Sequence, residues 1–186
     1  MSNPFFTIGH STRPAQEFIA LLNAAEIKLV VDVRTVPRSR TNPQFNSDVL
    51  PASLASEGVA YEHLAALGGL RGKQPGVSPD VNAFWDNVSF HNYADYAMSE
   101  AFRSSLEKLR ETGRASRITV MCAESLWWRC HRRIIADYLI AAGEEVFHIL
   151  GPSHVEPAHL TPAAEVSSDG TITYPKDSQP MLELGP

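Results

Sequence analysis

Cysteine is scarce in this chain: two residues in 186, Cys122 and Cys130, separated by only seven others. So small and local a set does not make the disulfide framework of a secreted domain. No apolar run approaches the ~18 residues that a membrane-spanning helix needs. The opening MSNPFFTIGHS has neither the basic start nor the long apolar stretch of a signal peptide. A formal charge of −5 excludes a molecule coated in positive charge for non-specific nucleic-acid binding, while leaving room for a local basic site. Together these absences predict a protein of a reducing, cytoplasmic compartment with no membrane contact. Its length suffices for one domain with a real core.

Strand and helix signals alternate along the chain. Phe5-Phe6-Thr7-Ile8 reads as a short buried strand ending at Gly9-His10-Ser11. Thr12 is a candidate N-cap, and Pro14 suits the first turn of a helix whose apolar face is Phe18, Leu21, Leu22 and Ala25. Leu29 to Val33 reads as a second strand, followed by a polar loop over Arg34-Thr35-Val36-Pro37-Arg38-Ser39-Arg40. A weaker helix spans residues 47 to 57, and a short strand fits Val59 to Leu64. Several Gly and Pro residues make 68 to 91 a long loop with functional potential. Tyr93, Tyr96, Phe102, Leu106 and Leu109 mark one helix or two abutting ones, ending near Gly113 and built around core tyrosines. A β-branched run from Ile118 then ends at Cys122, and an amphipathic helix opens at Cys130-His131 and closes at Gly143. Val146 to Leu150 is the last core strand.

This order predicts an α/β fold: a three-layer domain over residues 1–150 with a mostly parallel sheet of about five strands. Residues 151–186 read as a Pro-containing C-terminal appendage, with a hairpin at the Asp169-Gly170 turn and a mobile end after Pro175. Parallel sheets bind ligands beyond the C-terminal ends of their strands. The polar residues fall at those ends: His10 and Ser11, Arg34, His63, and Cys122-Ala123-Glu124.

Cysteines beside a helix start and several cations are where a thiol pKa falls. Cys122, Glu124, Cys130 and His131 are therefore the candidate catalytic residues. His10, Ser11, Arg34, Arg38, Arg129 and Arg132 are the candidates for holding an anion. The strand-end position favours Cys122 as the reactive thiol, since a strand-to-helix loop can surround its sulfur with N–H donors. Arg132 and Arg133 lie on successive helix faces, so one at most points inward. Each group has a plainer role to weigh against these: a free Cys is commonly a small buried hydrophobe, and Glu124 can serve a structural ion pair. Trp127 and Trp128 either cap the core or offer a stacking surface to a base. The Cys-x7-Cys-His spacing is not a recurrent zinc spacing, so neither metal nor other cofactor is expected.

The segments TIGHSTR (7–13), VVDVRTVPRSR (30–40), HLAALGGLRG (63–72), NYADYAM (92–98) and MCAESLWWRCHRRIIADYL (121–139) resemble the domain-of-unknown-function family 488 over nearly the whole chain. That resemblance implies membership without a reaction. The Asp-Val-Arg after an early strand and the later strand-Cys-loop-Arg-helix are also similar to rhodanese and dual-specificity-phosphatase-like domains. There a catalytic Cys sits in a loop of N–H donors closed by an Arg. Here Cys122 to Arg129 spans one residue more than a phosphatase loop, and Leu126, Trp127 and Trp128 stand where small residues would let it wrap a phosphate. Two functions remain: a cysteine-centred, arginine-rich enzyme acting on an anionic small molecule, nucleotide or nucleic-acid base, or a non-catalytic module binding a nucleotide or nucleic acid. Oligomeric state leaves no sequence signal.

Overall fold

Alternating side chains of the strands feed two separate cores, one on each face of a central sheet. In β1 (Phe5–Gly9), Phe5 points to one face while Phe6 and Ile8 point to the other. In β2 (Leu29–Asp32) Val31 and Val30 divide the same way, and in β4 (Ile118–Cys122) Ile118, Val120 and Cys122 oppose Met121. With both faces covered, these strands read as continuous apolar runs. The structure is a computed structural model, described here for residues 3–176.

The sheet has six strands in the order β3-β2-β4-β1-β5-β6, with β3 at Ala60–His63, β5 at Val146–Gly151 and β6 at His154–Pro157. The first five are parallel, and β6 adds antiparallel to β5. The sixth strand comes from the stretch past Leu150, which thus extends the main sheet. A small hairpin of β7 (Glu165–Val166) and β8 (Ile172–Thr173) turns at Gly170, whose φ of 82° suits glycine. It delivers fully buried Ile172 and Tyr174 to the core, where the Tyr174 hydroxyl donates to Asp137 at 2.9 Å. The mobile end expected after Pro175 falls, from residue 177 onward, outside the described residues.

Helices α1 (Ala15–Ala24) and α2 (Leu50–Ala55) cover one face through Phe18, Leu21, Leu22, Leu50 and Leu54. Helices α3 (Val88–Ala97), α4 (Glu100–Ala115) and α5 (Arg132–Ala141) cover the other, with Tyr93 and Tyr96 in its core. Among the described residues, no helix is long and apolar enough to cross a membrane.

Three local expectations are corrected. Pro14, not Thr12, stands in the cap position of α1, without a side-chain cap bond; the chain turns beforehand at Ser11, whose φ is 51°. Helix α5 begins at Arg132, because residues 127–129 first form a 3₁₀ turn that leaves Cys130 extended. The long loop ends earlier than 91, since the Asn87 side chain caps α3 by accepting from the Ser89 and Phe90 N–H groups.

The strand order fixes where the site must be. From β1 the chain leaves across the α1 face toward β2, while from neighbouring β4 it leaves across the α5 face toward β5. The two departures open a crevice between the ends of β1 and β4, the topological switch point. Gly9 pairs with Cys122 there, and a Cβ on Gly9 would collide with the Glu124 carbonyl oxygen. Gly9→Ala should therefore destabilise by about 1–3 kcal/mol, read as a lower urea midpoint at unchanged slope; an unaltered midpoint would mean that the loop yields freely.

Candidate functional site

Two backbone bonds join the strand ends: His10 N–H donates to the Cys122 carbonyl and Ser11 N–H to that of Ala123, each at 2.9 Å. Over this seam opens a cavity of about 670 Å³. Nine of the candidate residues line it: His10, Ser11, Arg34, Arg38, Cys122, Glu124, Arg129, Cys130 and His131. Arg132 does not. It lies below the floor, 1% exposed, and so cannot be the anion contact expected of it.

The environment of Arg132 is the most constrained in the molecule. Its Nε donates to Cys122 Sγ at 3.0 Å and to Cys130 Sγ at 3.4 Å. Nη1 reaches Thr7 Oγ1 at 3.3 Å, and Nη2 donates to the carbonyl oxygens of Glu124 and Ser125. No carboxylate pairs with it among the described residues. A buried guanidinium without a counter-charge is costly, and the two sulfurs are the groups in contact that can ionise.

Those sulfurs lie 2.6 Å apart as free, buried thiols. Burial pushes the Cys122 thiol well up, and its hydrogen bond to Cys130 adds to that. Burial alone would also raise Cys130, but the hydrogen bond from Cys122, then the charges of His131 and Arg132, hold it well below the usual thiol range. Of the two thiols, Cys130 is the one whose surroundings favour ionisation. The N–H donors expected around the Cys122 sulfur are placed otherwise. The loop above it does not turn N–H donors onto its sulfur: Leu126 N–H goes to the Glu124 carboxylate at 3.1 Å, Arg129 N–H to the Leu126 carbonyl and Cys130 N–H to the Trp127 carbonyl. These three N–H groups are engaged within the loop.

His131 stands beside the pair, its Nδ1 3.6 Å from Cys130 Sγ and its ring edge-on to Tyr93. Gly69 lets the chain pass over that ring, since a Cβ there would meet Nδ1 at 2.5 Å. His131 Nε2 is buried with no hydrogen-bond partner. The two sulfurs and a His131 nitrogen lie within 4.8 Å of one another, the reach of one metal ion. Both sulfurs already face a guanidinium, however, and its charge opposes a second cation at the same place.

The other arginines divide sharply. Arg34 is held by Asp32 through Nε to Oδ1 at 2.9 Å and Nη2 to Oδ2 at 2.6 Å, and Nη2 also donates to the Phe45 carbonyl. Its remaining Nη1 lies 3.1 Å from His10 Nε2. His10 Nδ1 lies 2.8 Å from the Ser11 carbonyl, so Nδ1 carries the proton and Nε2 accepts from Arg34. Burial drives the His10 pKa down to about 4, with Arg34 and Arg132 acting the same way, and the ring is neutral. Arg34 is therefore a strut between β1 and β2. Arg38 is exposed and paired with Asp48 at 3.0 Å. Arg129 is exposed on the cavity wall and, among the described residues, has no carboxylate partner.

Sequence reasoning missed Asp32 and Thr7. A carboxylate in the apolar run Leu29-Val30-Val31-Asp32-Val33 was the available signal, since a fully buried Asp must have a cation or donors. Thr7 gave none: its hydroxyl contacts Arg132 and lies 2.7 Å from His148 Nδ1. Trp127 packs on His148 and donates to Glu156 at 2.7 Å, while Trp128 is 44% exposed.

The family model for the domain of unknown function DUF488 matches residues 14–139, more than half of the chain. The chain belongs to this family. No curated protein and no solved structure matches it. The matched stretch of this DUF488 protein carries both cysteines, Asp32, Arg34 and Arg132, whereas Thr7 and His10 precede it.

Two outcomes follow for this DUF488 site. Asp32→Ala leaves the Arg34 charge buried and unpaired, and should cost about 3–5 kcal/mol in urea unfolding; a cost below about 1 kcal/mol would place Arg34 in water instead. Burial also lowers His148 to about 3. In the unfolded chain both rings have ordinary values near 6.5, so that state binds protons the folded state refuses as pH falls. Stability should be full above pH ~6.5 and drop on acidification from 7 toward 5, by up to roughly 1.4 kcal/mol per pH unit for each ring. A flat profile over that interval would show that the rings are charged in the folded protein.

Proposed function

We propose that this protein is a cysteine-dependent enzyme acting on an anionic small molecule, phosphate-bearing or of nucleotide size, with Cys130 as its nucleophile. One observation carries the reading: Arg132 is buried against two sulfurs that lie 2.6 Å apart, with no carboxylate in contact. The pair best neutralises the guanidinium by giving up one proton. Cys122 is then the thiol that donates to the thiolate, and His131 is placed to pass protons between Cys130 and a ligand. Exposed Arg129, which lines the cavity together with Ser11, supplies the charge for an anion. A volume of about 670 Å³ lies in the range of small-molecule sites, which favours such a ligand over a nucleic-acid duplex. The chemistry uses side chains alone and suits a reducing cytoplasm, where the thiols stay unblocked.

Alkylation by iodoacetamide, with the modified residue identified by peptide mass, tests this directly. Cys130 should react first, with an apparent pKa below about 7. Cys122→Ser should keep that fast reaction and Cys130→Ser should slow it at least tenfold. Inorganic phosphate should protect Cys130, and Arg129→Ala should weaken the protection by about 1 kcal/mol, the scale of an exposed charged contact. If both thiols are slow and titrate near the unperturbed ~8.5, the non-catalytic nucleotide- or nucleic-acid-binding module becomes the better reading.

A further inference from the structure

We infer that Cys122 and Cys130 form a dithiol–disulfide couple, and that the substrate of the cavity is an anionic small-molecule disulfide. The inference rests on the thiolate reading above and names its substrate class. A nucleophile for acyl or phosphoryl transfer could take the same hydrogen bond from any donor, whereas disulfide exchange uses the second sulfur itself. Here Cys122 Sγ lies 2.6 Å from Cys130 Sγ, closer than any other group in contact with that thiolate. An S–S bond of ~2.05 Å needs only a small closure of this pair. The two cysteines sit apart in the chain, one at the end of β4 and the other in the extended residue after the 3₁₀ turn, and both line the cavity.

The exchange balances with the groups present. The Cys130 thiolate attacks one sulfur of R–S–S–R; a Cys130–S–S–R bond forms as the original S–S bond breaks, and RS⁻ leaves with the electron pair. Cys122 sulfur then attacks Cys130 Sγ, its proton passing to the second leaving thiolate, which departs as RSH. The protein loses two electrons and the substrate gains them. A low-molecular-weight thiol, present in any reducing compartment, restores the dithiol by the reverse steps.

Arg132 sets the direction of the equilibrium. It is stabilised by the thiolate, and the disulfide leaves it buried without a counter-charge. The equilibrium therefore leans toward the dithiol: the substrate disulfide oxidises it only when in excess over its thiol, and the protein disulfide is easily reduced again.

Oxidised glutathione, a disulfide bearing several carboxylates, is a suitable probe of the full chain, read by mass after acid quenching. The wild type should lose two hydrogens and retain no glutathione. Cys122→Ser should accumulate a mixed disulfide at residue 130, and Cys130→Ser should form any adduct at least tenfold more slowly. The internal disulfide should be reduced by glutathione at ratios that leave a structural disulfide intact. Accumulation of the mixed disulfide in the wild type would overturn the couple while leaving the Cys130 nucleophile standing. Fast alkylation of Cys130 without any glutathione adduct would overturn the substrate class. Failure of both reactions would remove the thiolate reading with it.

Discussion

A guanidinium enclosed by protein, with sulfur rather than oxygen opposite it, sets the shape of everything above it. Arg132 spends its donors on Cys122, Cys130, Thr7 and two loop carbonyls, so a single side chain fastens β1, β4, the loop after β4 and the first turn of α5. Few other residues could do this. Lysine has one centre and no planar fork, and an apolar residue would leave the loop carbonyls without donors. The same contacts that set Arg132 against the two sulfurs give the loop its conformation, so the local fold and the surroundings of the sulfur pair cannot be separated here.

Around that centre the molecule is assembled from pairs that cancel charge before it reaches the cavity. Asp32 takes Arg34, and Tyr61 donates to the same carboxylate at 2.7 Å. His10 is kept neutral between Arg34 and a carbonyl, and Glu124 turns its carboxylate onto the loop N–H of Leu126. Much of the basic character suggested by the sequence is thus consumed internally. What lines the cavity is narrower: among the described residues, Arg129 is the exposed arginine there without a carboxylate partner, beside Arg38 paired with Asp48, a few hydroxyls, His131 and the sulfur pair.

The strands and the position of the site were legible in the sequence because both depend on simple periodicity. Apolar runs at residues 5–8, 29–33, 118–122 and 146–150 have no alternative in a helix-flanked sheet, and polar residues at their ends mark one edge. The assignment of individual roles was less legible, since it depends on long-range contact. That one of Arg132 and Arg133 turns inward follows from helical spacing; that it is Arg132, aimed at sulfur, follows only from the packing of α5 on β4. Likewise Thr7 is an ordinary strand residue until β5 brings His148 beside it. The sixth strand was hidden by the prolines in and around it; the one it contains, Pro157, is tolerated because β6 lies at an edge.

Strand β1 lies between β4 and β5, yet residues 5–9 precede the stretch that matches the family, and β5 and β6 follow it. The matched segment is therefore not by itself a unit of folding. Cut out at residues 14 and 139, it would end the sheet at β4, with Val120 and Met121 beside an open edge and Arg132 without the hydroxyl of Thr7. Trp127 would lose Glu156, the anchor that a strand from the far side of the sheet gives to the loop between the cysteines. The fold around the two cysteines thus needs flanks that supply a central strand beside β4 and a carboxylate at the height of Trp127.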